Sequence, residues 1–244
     1  MLRKTWLKRA SIRKACENII FRLDTTRYLV GKPDLVYQPL PWIGIHDARR
    51  GTGSKERIKA ITDQLDRHGI VSGSAMDVGC NVGYFALSLM EKGFFVYGIE
   101  GSDSNLSVAK AASRKVKGGW FAPVEITCDP GNTKYLPTVD VIIFLSVWHH
   151  WVRYYGLESA TGMLAELWNK TKGVLFFDTG ENEMPAHYNL PFQGEDACAW
   201  LEKYLAGICV GGRVSHLGKF AAFPPGGHEN QGSVTRNLFM LKRE

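Results

Sequence analysis

The chain has 244 residues, 45% of them hydrophobic and 22% charged, the composition of a folded globular protein with room for one sizeable core. No apolar run approaches the ~20 residues of a membrane-spanning helix, and the basic start Met-Leu-Arg-Lys-Thr-Trp lacks the apolar segment of a secretory signal. Five scattered cysteines without a Cys-x-x-Cys pair point to neither a disulfide framework nor a zinc site, and fit a reducing cytoplasm.

The net charge of +6 is uneven: residues 1–70 hold 15 Lys/Arg against 7 Asp/Glu, and residues 71–244 hold 15 against 17. The basic surplus therefore lies in an N-terminal segment, 1–70, ahead of a catalytic domain expected over 71–244. Within it, residues 2–23 place Leu2, Trp6, Ile12, Cys16, Ile19, Ile20 and Leu23 at helical spacing among Arg and Lys. Such a helix could lie on an anionic membrane face or pack on the core with a solvated basic side. Residues 32–46 are broken by proline and glycine and read as an extended loop. Ser54 is expected to open a helix with Ile58, Ile61 and Leu65 on one stripe.

From residue 75 strands and helices alternate, which implies α/β architecture with a parallel sheet. Strands are expected at 75–79, 94–99, 123–128, 139–146 and 173–178, with helices at 83–92, 103–117, 156–170 and 195–206. Two last strands, near 218–223 and 236–242, would form a closing hairpin around the flexible loop Pro-Pro-Gly-Gly-His-Glu-Asn-Gln-Gly.

The informative stretch is Asp77-Val-Gly79-Cys-Asn81-Val-Gly83, between the first strand and its helix, with Glu100 ending the second strand. It lacks the Gly-x-Gly-x-x-Gly triplet that seats a pyrophosphate on a helix N-terminus. Asp77 would repel a pyrophosphate and attract an ammonium or sulfonium group. Glu100 suits a ribose diol. Ligands in open α/β sheets sit at the carboxyl ends of the strands, where Asp77, Glu100, Asp129, Ser146–His150 and Asp178 gather.

Residues 75–100 resemble the cofactor loop of class I S-adenosylmethionine-dependent methyltransferases. That likeness implies a Rossmann-like fold, a seven-stranded, mostly parallel sheet with its last strand antiparallel, and S-adenosylmethionine as cofactor. Leu145-Ser-Val-Trp-His149-His150, followed by Gly156, is similar to the strand-four motif of the bacterial O-antigen chain-terminating kinase–methyltransferase family. Tyr37-Gln38, Trp42-x-Gly44, Asp47-Ala48-x-Arg50, Arg57-Ile58 and the acid-rich segment with Glu181 and Glu183 echo the same family. By resemblance, Tyr37 and Arg57 would clasp the methionine carboxylate, while Asp77, Gly79, Asn81, Gly83 and Ser146 surround that moiety. Glu100 would hold the ribose and Asp129 the adenine edge. No counterpart of that family's kinase part is expected within these 244 residues.

The resemblance implies O-methylation of a carbohydrate or sugar-phosphate acceptor, cytoplasmic or at the inner membrane face. RNA methylation and natural-product O-methylation remain alternatives. His149 and His150 are the candidate catalytic residues: as a base toward an alcohol, or as cations toward a phosphate. Arg49, Arg50, Arg153 and Asp178 are candidate acceptor contacts. A metal held by His149, His150 and Asp178 has no diagnostic spacing, and none is expected.

Overall fold

The computed structural model describes residues 37–46, 48, 51–192, 196–222 and 234–244. The expected helix at 2–23, Arg49, Arg50 and the loop between the last two strands lie outside the described residues.

Seven strands form one sheet: β1 (Ser74–Val78), β2 (Phe95–Glu100), β3 (Trp120–Glu125), β4 (Val139–Leu145), β5 (Thr171–Asp178), β6 (Gly212–Ala222) and β7 (Val234–Arg243). Their order is β3-β2-β1-β4-β5-β7-β6. The first five are parallel, and β7 runs antiparallel to both β5 and β6. The order reverses between β1 and β4, which opens a crevice at their carboxyl ends.

Period-two alternation assigns each side chain to a face. In β4, Val141, Ile143 and Leu145 join one core, and Ile142 and Phe144 join the other; Val174 and Phe176 against Leu175 and Phe177 do the same in β5. The first core packs beneath α1 (Gly51–Arg67), α2 (Tyr84–Glu91) and α3 (Asp103–Ser113). The second packs beneath α4 (Trp148–Tyr155), α5 (Leu157–Asn169) and α6 (Asp196–Ile208). Burial on both faces explains why β1, β4 and β5 read as near-continuous apolar runs.

Four local expectations change. The helix expected to open at Ser54 begins at Gly51, and Ser54 is fully buried in its first turns. The third strand starts at Trp120, not 123, with Phe95 opposite Trp120 and Glu100 opposite Glu125. It includes Pro123, which is tolerated because β3 is the sheet's edge. Residues 148–155, left between the strand expected at 139–146 and the helix expected at 156–170, form a helix of their own. Trp148, Trp151 and Val152 face the second core, and Gly156, at φ 83°, separates α4 from α5. Finally, within the loop expected at 32–46, Leu40 pairs with Ile45 around a 3-10 turn at Pro41–Ile43, and Leu40 is fully buried.

Candidate active site

The loop after β1 turns through three left-handed residues: Gly79 at φ 74°, Asn81 at φ 52° and Gly83 at φ 91°. Glycine enters this region freely and asparagine at small cost. The Gly79 and Cys80 amides both donate to the Ile99 carbonyl (2.8 and 2.9 Å), fastening the loop to β2. Glu100 completes the clamp, accepting from the Asn81 and Ser102 amides at 2.8 and 2.9 Å.

Below the loop, Asp77 accepts from the Ala86 amide at 3.1 Å, in the first turn of α2. Its side chain is buried, and burial pushes its pKa up to about 7; the Ala86 bond opposes the rise and nearby Glu100 adds to it. A carboxylate in that position favours a cationic neighbour that would compensate its charge.

A cavity of about 360 Å³ opens over these groups, lined by Tyr37, Arg57, Asp77, Asn81, Glu100 and Ser146 among others. A second cavity of about 210 Å³ adjoins it and shares Gly79, Glu100, Val147 and His150. Its remaining walls are largely apolar, including Ile99, Ile126, Cys128, Trp151 and Tyr155. A polar chamber beside an apolar slot, with an acid at their junction, fits an amino-acid moiety, a flat base and a ribose between them.

The sequence profile of the methyltransferase domain family matches residues 76–177, from β1 through β5. These residues form a methyltransferase domain, and the chain works with S-adenosylmethionine. The O-antigen chain terminator bifunctional methyltransferase/kinase WbdD of Escherichia coli is 27% identical over 203 residues, covering 78% of this chain and 27% of the relative. The methyltransferase thus spans about a quarter of that relative's length. A crystal structure of WbdD shares the fold at TM-score 0.63 and 24% identity, covering 88% of this chain and 46% of that one. Magnesium protoporphyrin IX methyltransferase from Synechocystis PCC 6803, with S-adenosylmethionine bound, shares it at TM-score 0.57 and 18% identity, covering 80% and 82%. When bound, S-adenosylmethionine supplies a methyl group activated by a sulfonium.

Several candidate residues of the methyltransferase have other duties. Gly83 lines neither cavity; a Cβ there would come within 2.9 Å of Ala109 Cβ, so its role is close packing of α2 on α3. Gly79 does line both, yet a Cβ on it would meet Val147 Cγ2 at 2.5 Å before any ligand. Asp129 closes its own turn, accepting from the Gly131 and Asn132 amides at 2.7 and 2.9 Å, while Ile126, Thr127 and Cys128 line the apolar slot in its place.

Asp178, expected to contact the acceptor, is fully buried and pairs with Arg57 Nη1 at 2.5 Å. Burial alone would raise its pKa, but Arg57 and Arg236 hold it below the ordinary carboxylate value. Arg57 is correspondingly committed: Nε donates to the Gly53 carbonyl at 3.1 Å, and the guanidinium lies over Phe85. It still lines the polar cavity, so it faces Asp178 and the cavity together.

The two histidines diverge. His149 is buried; its Nδ1 accepts from the Gly180 amide at 2.9 Å, and its Nε2 lies 3.4 Å from Glu183. That pattern places the proton of a neutral ring on Nε2. Burial lowers its pKa. His149 lines neither cavity and serves the packing of α4 on the segment after β5. His150, one residue on, lines both cavities. Burial first, and then the neighbouring His149 and the Arg153 cation, bring its pKa down to about 4. Arg153 is exposed, lines neither cavity and donates to the Glu183 carbonyl at 3.0 Å. Among the described residues, no group of three His, Cys, Asp or Glu side chains is placed to hold a metal ion.

One participant had no cue in the sequence. Arg236, buried on β7, donates to Ser146 Oγ and to Glu183, and Ser146 donates to Asp178 at 2.9 Å. The chain Arg57–Asp178–Ser146–Arg236–Glu183 thus ties α1, the ends of β4 and β5, and β7 together. Ser146 takes a left-handed conformation, φ 61°, at the cavity wall. Glu183 belongs to the acid-rich segment, but nothing local links it to an arginine 53 residues later.

Proposed function

We propose that the methyltransferase transfers its methyl group to an oxygen of a carbohydrate or sugar-phosphate acceptor. The observation that carries this reading is His150, a neutral imidazole at the junction of the two cavities. A neutral imidazole accepts a proton from a hydroxyl as the carbon–oxygen bond forms, whereas it brings no charge to hold a phosphate. A bound sulfonium nearby would favour the neutral ring further. A hydroxyl acceptor is therefore better supported than a phosphate, and the glycan class rests on the similarity to the O-antigen chain terminator.

In this scheme Arg57 and Tyr37 face the methionine carboxylate, Asp77 its cationic groups and Glu100 the ribose. His150 receives the acceptor proton. The activated methyl needs little more than in-line positioning, which the preformed loop and the Arg57–Asp178 pair supply. The catalytic residues lie in 71–244, and residues 1–70 act as cap, their basic part resting on the anionic inner face of a membrane. Among the described residues no helix is long and apolar enough to cross one.

The test is methyl transfer from labelled S-adenosylmethionine to three acceptors: a glycan ending in free hydroxyls, the same glycan phosphorylated, and RNA. Labelling of the hydroxyl glycan supports the proposal in its preferred form. Labelling of the phosphorylated glycan alone would remove the base role of His150, and labelling of RNA alone would replace the proposal with nucleic-acid methylation.

A further inference from the structure

Opposite the cofactor crevice, at the amino-terminal end of β5, lies a groove of about 440 Å³ that methyl transfer does not use. Three elements converge on it: Arg67 and His68 from the end of α1, Arg213 and His216 from β6, and Lys242 and Arg243 from β7. Three permanent cations, Arg67, Arg213 and Lys242, thus face one carboxylate side chain, that of Glu244, while Arg243, next to Lys242 on β7, turns its guanidinium to the opposite face of the sheet over Trp168. General basicity does not account for this, since residues 71–244 hold more acids than bases.

One feature sets the groove apart from an ordinary solvated surface. Arg213 and Lys242 are direct cross-strand partners, and like charges placed opposite each other disfavour strand pairing. Neither they nor Arg67 form an ion pair with a described residue.

We propose that this groove is a binding site for a multiply charged phosphate anion of the pyrophosphate class, separate from the cofactor crevice. Cations from three elements around one concavity match several phosphate oxygens at once, and Ser215 and Gln64 add neutral hydrogen-bonding groups at the wall. A singly charged anion would leave the Arg213–Lys242 repulsion largely uncompensated.

Titration calorimetry with sodium pyrophosphate tests this on the full chain, using wild type, Arg213→Gln/Lys242→Gln and, on a different element, Arg67→Gln. S-adenosylhomocysteine affinity reports folding in each. Pyrophosphate should bind the wild type, more weakly as salt rises. The double variant should lose at least about tenfold, because charge-assisted hydrogen bonds are lost, with S-adenosylhomocysteine affinity unchanged. No pyrophosphate binding, or equal binding by wild type and all variants, would overturn the proposal. Phosphatidylglycerol vesicles separate the sources: vesicle binding that pyrophosphate displaces assigns the phosphate to a lipid headgroup. Vesicle binding through the same residues that pyrophosphate cannot displace would overturn the site in favour of a membrane surface.

Discussion

Arg57 on α1 and Asp178 at the end of β5 form an ion pair, 2.5 Å between Nη1 and Oδ2, with both side chains buried. It joins α1 to the carboxyl edge of the sheet beside the polar cavity. Removing one member of such a pair leaves an uncompensated buried charge, at a cost of about 3–5 kcal/mol. Arg57→Met should lower the melting temperature and abolish S-adenosylhomocysteine binding. Arg57→Met/Asp178→Leu should recover much of the stability but not the binding. Because the folded pKa of Asp178 is depressed, its contribution is fully present above the ordinary carboxylate value of ~4 and is lost as pH falls through the folded value. The wild-type melting temperature should drop on acidification below that range, and the profile of Asp178→Asn should be flatter there.

Asp77 behaves in the opposite sense. Its folded pKa, about 7, lies above its ordinary value, so its stabilising contribution is full below ~4 and is lost as pH rises toward 7. A cationic ligand restores the ionised form. Affinity for S-adenosylhomocysteine, whose ammonium remains, should increase from about pH 6 to pH 8 with release of a proton. Calorimetry in buffers of different ionisation enthalpy measures that release directly. Asp77→Asn should weaken binding and remove the pH dependence; an unchanged profile would separate Asp77 from the ligand.

At Gly79 the obstacle to a side chain is protein rather than ligand. Gly79→Ala combines a left-handed φ of 74° with a Cβ 2.5 Å from Val147 Cγ2. The backbone penalty alone is about 1–2 kcal/mol. Adding Val147→Ala should relieve the clash and leave the backbone term. Thermal denaturation of the two variants should therefore show partial recovery in the double variant. Full recovery would mean that the loop readjusts its φ.

The adjacent histidines should give different phenotypes. His150→Ala should lower kcat about 10²–10⁴-fold with a hydroxyl acceptor, leaving the melting temperature near that of wild type. At saturating S-adenosylmethionine, kcat of the wild type should be flat from about pH 6 to 8 with an acid limb near the His150 pKa of about 4. His149→Ala should instead destabilise the fold by about 1–3 kcal/mol, because the Gly180 amide loses a buried acceptor. Steady-state kinetics beside denaturation curves distinguish the two; matching losses from both variants would contradict the division of roles.

Much of the architecture is legible locally. The apolar runs 75–79, 139–146 and 173–178 mark central strands because only buried parallel strands are apolar on both faces. Asp77, Gly79, Asn81 and Glu100 are legible for a related reason: a strand, a left-handed turn and a helix start follow one another within a few residues, and their geometry is set there. Elements defined by partners far along the chain are less visible. Trp148–Tyr155 has no side-chain cap and becomes a helix through its contacts with the second core. Pro123 marks the start of the expected third strand, and only the edge position of β3 allows the pairing to run back through it to Trp120.

By itself, then, the order of residues determined the α/β class, the cofactor loop and its preference for a cation over a pyrophosphate, since each depends on backbone conformations and charges close in sequence. Tertiary structure decided which charged groups are available to a substrate. Asp178 and His149 are withdrawn into the core by Arg57, Gly180 and Glu183, Arg236 joins from β7, and His150 remains at the cavity. Burial and pairing depend on which strands and helices become neighbours in space, and for side chains tens of residues apart no local pattern carries that information.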